Sequence, residues 1–228
     1  MRHLISGMIL FFVLAPARPQ PKDYNWATVQ VPVEFSKHWQ MLNEYSYRSL
    51  GESFSLYQVF LRAGARYVFN PSWNAGASFD YILTRTSLQK SNHEYGTELR
   101  PWQEVNYNLP LGNNFLLQNR VRVEERFFKA VSNKDAYTGF RFRYRAGCLK
   151  KFNSTWGLQL TNEYLEELEK KKLSFNQNRV FINTICQLDH TTQLQAGYYY
   201  VIRPLGQKQH IAVLTFQKRL IFYGRKQA

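Results

Sequence analysis

Beyond its first residues the sequence lacks any apolar run approaching the roughly twenty residues that a membrane-crossing helix requires. Insertion of the later chain into a bilayer would have to use strands closed into a barrel, the other structure that satisfies every backbone polar group in lipid. His and Cys residues at metal-ligand spacing are also missing, as are glycine-rich phosphate loops, so neither a metal nor another cofactor is expected. Acidic residues are scarce, 16 against 30 Lys and Arg, for a formal charge of +14. Such a balance commonly points to nucleic acid or anionic membranes. Here the basic residues are spread along the chain at alternate positions, without basic helices or a nucleic-acid motif, and nucleic acid is not an expected partner.

What the chain does have begins with "MRHLISGMILFFVLAPARPQP". A short basic start (Arg2, His3), an apolar run from Leu4 to Ala15, and Ala15 and Ala17 in A-x-A spacing predict a secretory signal peptide over residues 1–17. The apolar run is too short for a comfortable membrane span; the other reading is a buried N-terminal helix. Residues 18–228 then form one all-β domain, large enough to bury a sizeable core.

The stretch "NRVRVEERFF" shows the pattern that recurs through this domain. Side chains alternate between the faces of a strand, so Leu117, Val121, Val123 and Phe127 share one face and Gln118, Arg120, Arg122, Glu124 and Arg126 the other. On a helix the same residues would scatter around the axis. Alternating segments near 38–48, 55–69, 73–85, 93–108, 114–128, 136–150, 155–167, 175–188, 192–203 and 208–222 read as strands. Most exceed the usual length in soluble sheets and the 9–11 residues needed to cross a bilayer. The segment "WATVQVPVEF" also alternates and would make eleven. Bacterial single-chain barrels generally have even numbers, so it is read as a partial or non-spanning strand, as Pro32 permits, unless two strands are merged elsewhere.

The expected fold is therefore a transmembrane antiparallel up-and-down β-barrel of 10–12 strands. Its connections alternate as such barrels require. "NPS", "LPLGNN", "KKFNS" and "DHTT" are tight, whereas "TSLQKSN", "KAVSNKD" and "LEKKKLS" (Leu168 to Ser174) are longer and more charged. "EYLEELEKKKL" reads as a strand end running into that last loop, with a short helix as the alternative. Cys148 and Cys186 fall two strands apart, about twice the 4.8 Å spacing and beyond bridging distance, and are read as small apolar packing residues.

The outward set is consistent: Tyr57, Val59, Leu61, Ala63, Ala65, Tyr67 and Phe69, then Trp73 to Leu83, Phe140 to Cys148 and Leu194 to Ile202 at alternate positions. Aliphatic residues fill the middles and aromatics favour the ends, as in a lipid-facing band with interfacial girdles. A soluble ligand-binding barrel would carry the same alternation with the faces reversed.

The opposite face carries Glu98, Arg100, Glu104, Arg120, Arg122, Glu124, Arg126, Arg141, Arg143, Arg145, Glu163 and Arg179, with Glu44, Arg48, Arg62, Arg66 and Asp80 on earlier strands. In a barrel these converge on the lumen, where guanidinium forks meet carboxylates in directional pairs across neighbouring strands. Two roles follow. The network can fill the interior and act structurally, or its arginine excess can favour limited passage of small anions.

A hydrolase needs a nucleophile, a base in reach and an orienting third group. His38 and His190 fall at tight turns. His93 and His210 start strands beside the longer loops, with Ser87, Ser91 and Glu94 near His93 in sequence, but no motif fixes their geometry. The chain is not expected to be an enzyme; an outer-membrane lipid- or envelope-acting hydrolase is the runner-up.

Taken in order, Glu98, Arg100, Trp102 and Gln103 (E-x-R-x-W-Q), then Arg120, Arg122, Glu124 and Arg126 (R-x-R-x-E-x-R), Asn162 and Glu163, Asn178 and Arg179, and Gly197 with Tyr198 form a pattern over essentially the whole mature chain. It resembles the bacterial outer-membrane barrel proteins grouped as domain of unknown function 2490. The resemblance implies a barrel in the bacterial cell outer membrane; the expected partners are outer-membrane lipid, the barrel-assembly machinery and, where the arginine-rich lumen conducts, a small anionic solute. It carries no known catalytic residue or ligand. Lys218, Arg219 and the tail "GRKQA" after Phe222 depart from the usual aromatic end of such barrels.

Overall fold

The computed structural model describes residues 23–51, 54–86, 94–132 and 134–223. The predicted signal peptide and the basic tail lie outside these residues. Thirteen strands follow in chain order: β1 (Asp23–Gln30), β2 (Val33–Glu34), β3 (Trp39–Leu50), β4 (Ser55–Val68), β5 (Trp73–Arg85), β6 (Tyr95–Gly112) and β7 (Phe115–Phe128), then β8 (Tyr137–Lys151), β9 (Trp156–Glu169), β10 (Lys172–Gln187), β11 (Thr192–Ile202), β12 (Lys208–Lys218) and β13 (Leu220–Ile221). The alternation that marked each segment is realised as period-2 exposure along the strands, because one face of each is enclosed and the other is not.

From β3 to β12 each strand pairs antiparallel with the next, and β1 closes the wall by pairing with both β3 and β12. β2 continues the stave of β1 and β13 that of β12, pairing with each other in parallel. The wall is therefore a closed barrel of eleven staves. With an odd number of alternating staves the first and last must run the same way, so β1 and β12 pair in parallel over Asp23–Gln30 and His210–Gln217. This is the one departure from an up-and-down antiparallel barrel, and it follows from the count.

Two expectations are corrected. The opening segment is not a partial stave: β1 is bonded on both sides along its length, and Pro32, which cannot donate to a ladder, falls in the gap between β1 and β2. "LEKKKLS" is not a loop. β9 and β10 remain paired to Glu169 and Lys172, and Lys170 and Lys171 form a two-residue turn with φ of 49° and 65°. Left-handed backbone at both central positions is what a tight hairpin turn demands. The other such turn, Asn113–Asn114, uses the residue type that tolerates it. Lysine there disguises the turn as a charged loop.

The opposite rim carries a repeated turn. In F-S-K-H-W, F-N-P-S-W and F-N-S-T-W, and in L-D-H-T-T, the first residue's N–H donates to the fifth residue's carbonyl at 2.9–3.0 Å. The side-chain oxygen of the second residue (Ser36, Asn70, Asn153 or Asp189) accepts from the backbone N–H groups of the fourth and fifth. The device leaves Phe35, Trp39, Phe69, Trp73, Phe152 and Trp156 exposed around one rim.

Candidate functional site

Which face is inside decides what this barrel can do. Each of the eleven staves puts a large apolar side chain on its outer face, from Val29, Tyr45 and Leu61 through Phe79, Val105, Val121, Phe142, Leu160, Ile182 and Tyr198 to Leu214. All are between 41% and 55% exposed. The inner face carries Asp80 and Glu124 at 0%, Glu163 at 1% and Arg122 at 4%. Polarity is thus inverted relative to a water-soluble barrel, in which the apolar residues would fill the interior.

Register explains how the interior charges meet. Glu104 lies opposite Arg122, which lies opposite Arg143; one step along, Trp102, Glu124, Arg141 and Glu167 share a row. Neighbouring inward side chains on adjacent strands stand about 5 Å apart, within reach of a guanidinium fork. The result is a set of carboxylate hubs. Glu124 receives Arg143 at 2.5 Å and Arg141, with Arg122 at 3.6 Å and Arg100 at 3.8 Å. Glu163 receives Nη2 of Arg143 on both of its oxygens at 2.8 Å, together with Arg120 and, at 3.6 Å, Arg179. Glu104 joins Arg122 at 2.6 Å, Arg66 at 3.0 Å and Arg120 at 3.6 Å. Glu98 takes Arg100 and Arg126, each at 2.7 Å, and Arg126 also pairs with Glu167.

A second cluster adjoins the first. Arg62 bridges Glu44 at 3.2 Å and Asp80 at 2.9 Å, and Trp102 donates its indole N–H to Asp80 at 2.9 Å. The indole ring is also a platform: the Arg122 guanidinium lies 3.9 Å from its centre and that of Arg62 4.9 Å. Trp102 thus couples two ion-pair groups that have no carboxylate in common.

The charges are not evenly distributed around the wall. Where β11, β12 and β1 meet, the interior is lined by Val201, Ile211 and Val213 packed with Tyr24, Trp26 and Tyr199. The arginine side faces this apolar wall across a cavity of about 390 Å³, lined among others by Trp26, Phe181, Tyr199, Arg120, Arg145 and Arg179.

All twelve residues predicted for the lumen lie on the inner face. Eleven make at least one ion pair there; Arg145 makes none within 4 Å among the described residues. Sequence reasoning missed two members. Trp102 was noted only within a motif, although its even spacing with Arg100 and Glu104 puts it on the same face. Glu167 escapes because the sequence reading ends the strand at that residue, whereas β9 runs on to Glu169. Of the histidines, His38 and His190 occupy short turns, and His210 meets Tyr198 on the outer wall. His93, Ser87 and Ser91 lie outside the described residues. Cys148 and Cys186 are both free.

The comparison with curated proteins found no match, and neither did that with solved structures. The family model described as protein of unknown function (DUF2490) matches residues 24–210, from the first stave into the last. The chain belongs to that family.

Proposed function

We propose that this protein resides in the bacterial outer membrane, reached through its N-terminal signal peptide, as a barrel whose interior is closed by ion-paired side chains. Its role there is structural, or restricts passage to small anions. The observation that carries the reading is the inverted polarity: an apolar side chain exposed on every stave around a buried charged interior. In water that outer surface would far exceed the few hundred Å² of contiguous apolar patch a soluble monomer tolerates. In a bilayer it is the required lipid-facing band. The ring of exposed Phe and Trp at the short-turn rim matches an interfacial girdle, and the short turns are the side that such barrels direct toward the periplasm.

The weight falls on closure because the hub carboxylates are fully buried and already bonded, and barrels of this size have room for little beyond their own side chains. Two measurements test the proposal. The protein should remain with membranes through salt and carbonate washes, leave only with detergent, and migrate differently on gels before and after heating. Recovery as a freely soluble periplasmic monomer would sink the membrane assignment. In planar bilayers, conductance should be small and anion-favouring, or absent; a large or cation-selective conductance contradicts the closed, arginine-rich interior.

A further inference from the structure

The lumen holds more arginine than its carboxylates can neutralise, and the surplus is concentrated in one place. Across β7, β8, β9 and β10 a single row reads Arg120, Arg145, Glu163, Arg179. It sets three guanidiniums against one carboxylate, and two of them, Arg120 and Arg145, are direct cross-strand neighbours. Like charges placed so repel unless something of opposite sign lies between them.

Glu163 cannot serve all three. Arg143, from the adjacent row, binds both of its oxygens at 2.8 Å, and Arg120 takes one of them as well. Arg145 is left without an ion pair or hydrogen bond among the described residues, and Arg179 stands 3.6 Å from Glu163 without a hydrogen bond. The Nε atoms of Arg120 and Arg179 are buried and unpartnered, and Arg120 is only 8% exposed. Arg48, facing the same cavity, binds Gln58 at 2.6 Å and lies 4.0 Å from the Trp26 ring centre, but meets no carboxylate within 4 Å among the described residues.

We propose that this cavity is a binding site for a small oxyanion, a phosphate- or sulfate-type group held by Arg145 and Arg179, with the positive charge of Arg120 beside them. The site rests on the proposed reading of the barrel interior as closed by ion-paired side chains. A part-buried surplus of positive charge favours a counter-charge in the same space, where the surrounding protein leaves each guanidinium less water than at the surface. The free groups are planar N–H forks, whose geometry matches two oxygens of one anion. The cavity of about 390 Å³ has room for the ion and part of its hydration. The same chemistry accommodates a free inorganic ion or the phosphate of a lipid headgroup.

The test is calorimetric titration of the folded full-length barrel in a neutral detergent with inorganic phosphate, at constant ionic strength set by chloride. One saturable site is expected, weakened at least tenfold by Arg145→Gln and by Arg179→Gln, and unchanged by Lys208→Gln at the rim. Should either glutamine variant fail to fold, Arg145→Lys and Arg179→Lys keep the charge and lose the fork, and should weaken binding severalfold. Competition by micelles containing a phosphomonoester lipid would identify a headgroup as the source, and its absence a free ion. A folded barrel with no saturable phosphate binding, or with affinity indifferent to both substitutions, overturns the site and leaves the membrane assignment standing. A chain that binds phosphate but stays soluble without detergent does the reverse.

Discussion

Arg62 grips Asp80 through two parallel hydrogen bonds, Nε to Oδ1 at 2.9 Å and Nη2 to Oδ2 at 3.1 Å, and the same Oδ1 accepts from Trp102. Asp80 is fully buried, so deleting it leaves the Arg62 guanidinium with Glu44 alone and the indole N–H without its acceptor. Asp80→Leu should cost about 3–5 kcal/mol, the range for breaking one side of a buried pair. Asp80→Asn should cost less, because an amide oxygen still accepts from the indole. Urea unfolding in detergent, followed by tryptophan fluorescence, measures both; equal losses would show that the Trp102 bond contributes nothing.

Val121 shares its strand with Arg120 and Arg122 but is 55% exposed on the outer face. If that face meets hydrocarbon, Val121→Arg should destabilise the inserted barrel by about 2–4 kcal/mol. The gel shift on heating should be lost or weakened. In a water-facing wall the same change would be neutral or improve solubility, so wild-type insertion by this variant would count against the membrane assignment.

Most of the wall could be read from alternation alone, because a period-2 pattern fixes both the existence of a strand and which of its residues share a face. Residues such as Arg122 and Glu124 were assigned to the lumen on that basis, and the structure brings them together. Alternation does not say which partner a side chain chooses. Glu163 could have served Arg145, its cross-strand neighbour, yet it is occupied by Arg143 from the next row. Alternation also fails where a turn uses unexpected residues, as at Lys170 and Lys171, and where pairing is non-local, as in β1. The repeated F-x-x-x-W turns are in plain sight, but they become meaningful only once the three of them stand on one rim with L-D-H-T-T.

Asp189 shows a local pH dependence. The Thr192 hydroxyl, with the backbone N–H and hydroxyl of Thr191, holds its carboxyl below the ordinary aspartate value of 3.8. A depressed carboxylate stabilises the turn above the unfolded value, and that contribution is lost as pH falls through the lower folded one. The protection factors of the Thr191 and Thr192 amides, with the intrinsic pH dependence of exchange divided out, should therefore be steady above about pH 4, fall on acidification below it, and lose that acid-dependent step in Asp189→Asn, which keeps an acceptor but does not titrate.

The β9–β10 turn invites a stabilising change. Lys170 and Lys171 both hold left-handed backbone, which costs side-chain-bearing residues about 1–2 kcal/mol each. Lys170→Asn with Lys171→Gly should raise stability by about 1 kcal/mol, seen as a higher urea midpoint at unchanged slope. A lower midpoint would mean that the lysines make contributions at the rim that outweigh the backbone cost.

The parallel seam bears on how the barrel comes together. Every pairing from β3 to β12 joins consecutive strands and can form as a local hairpin, whereas Tyr24 meets Gln209 across 185 positions of chain. Contacts this distant in sequence are the slow ones to form. Until they do, β1 and β12 are both bare edges, with unpaired backbone groups open to any other strand. The rate of seam formation thus sets how long the chain remains exposed to mispairing, and interactions across it, such as those of Glu34 with Arg219 and Tyr223, act as its latch.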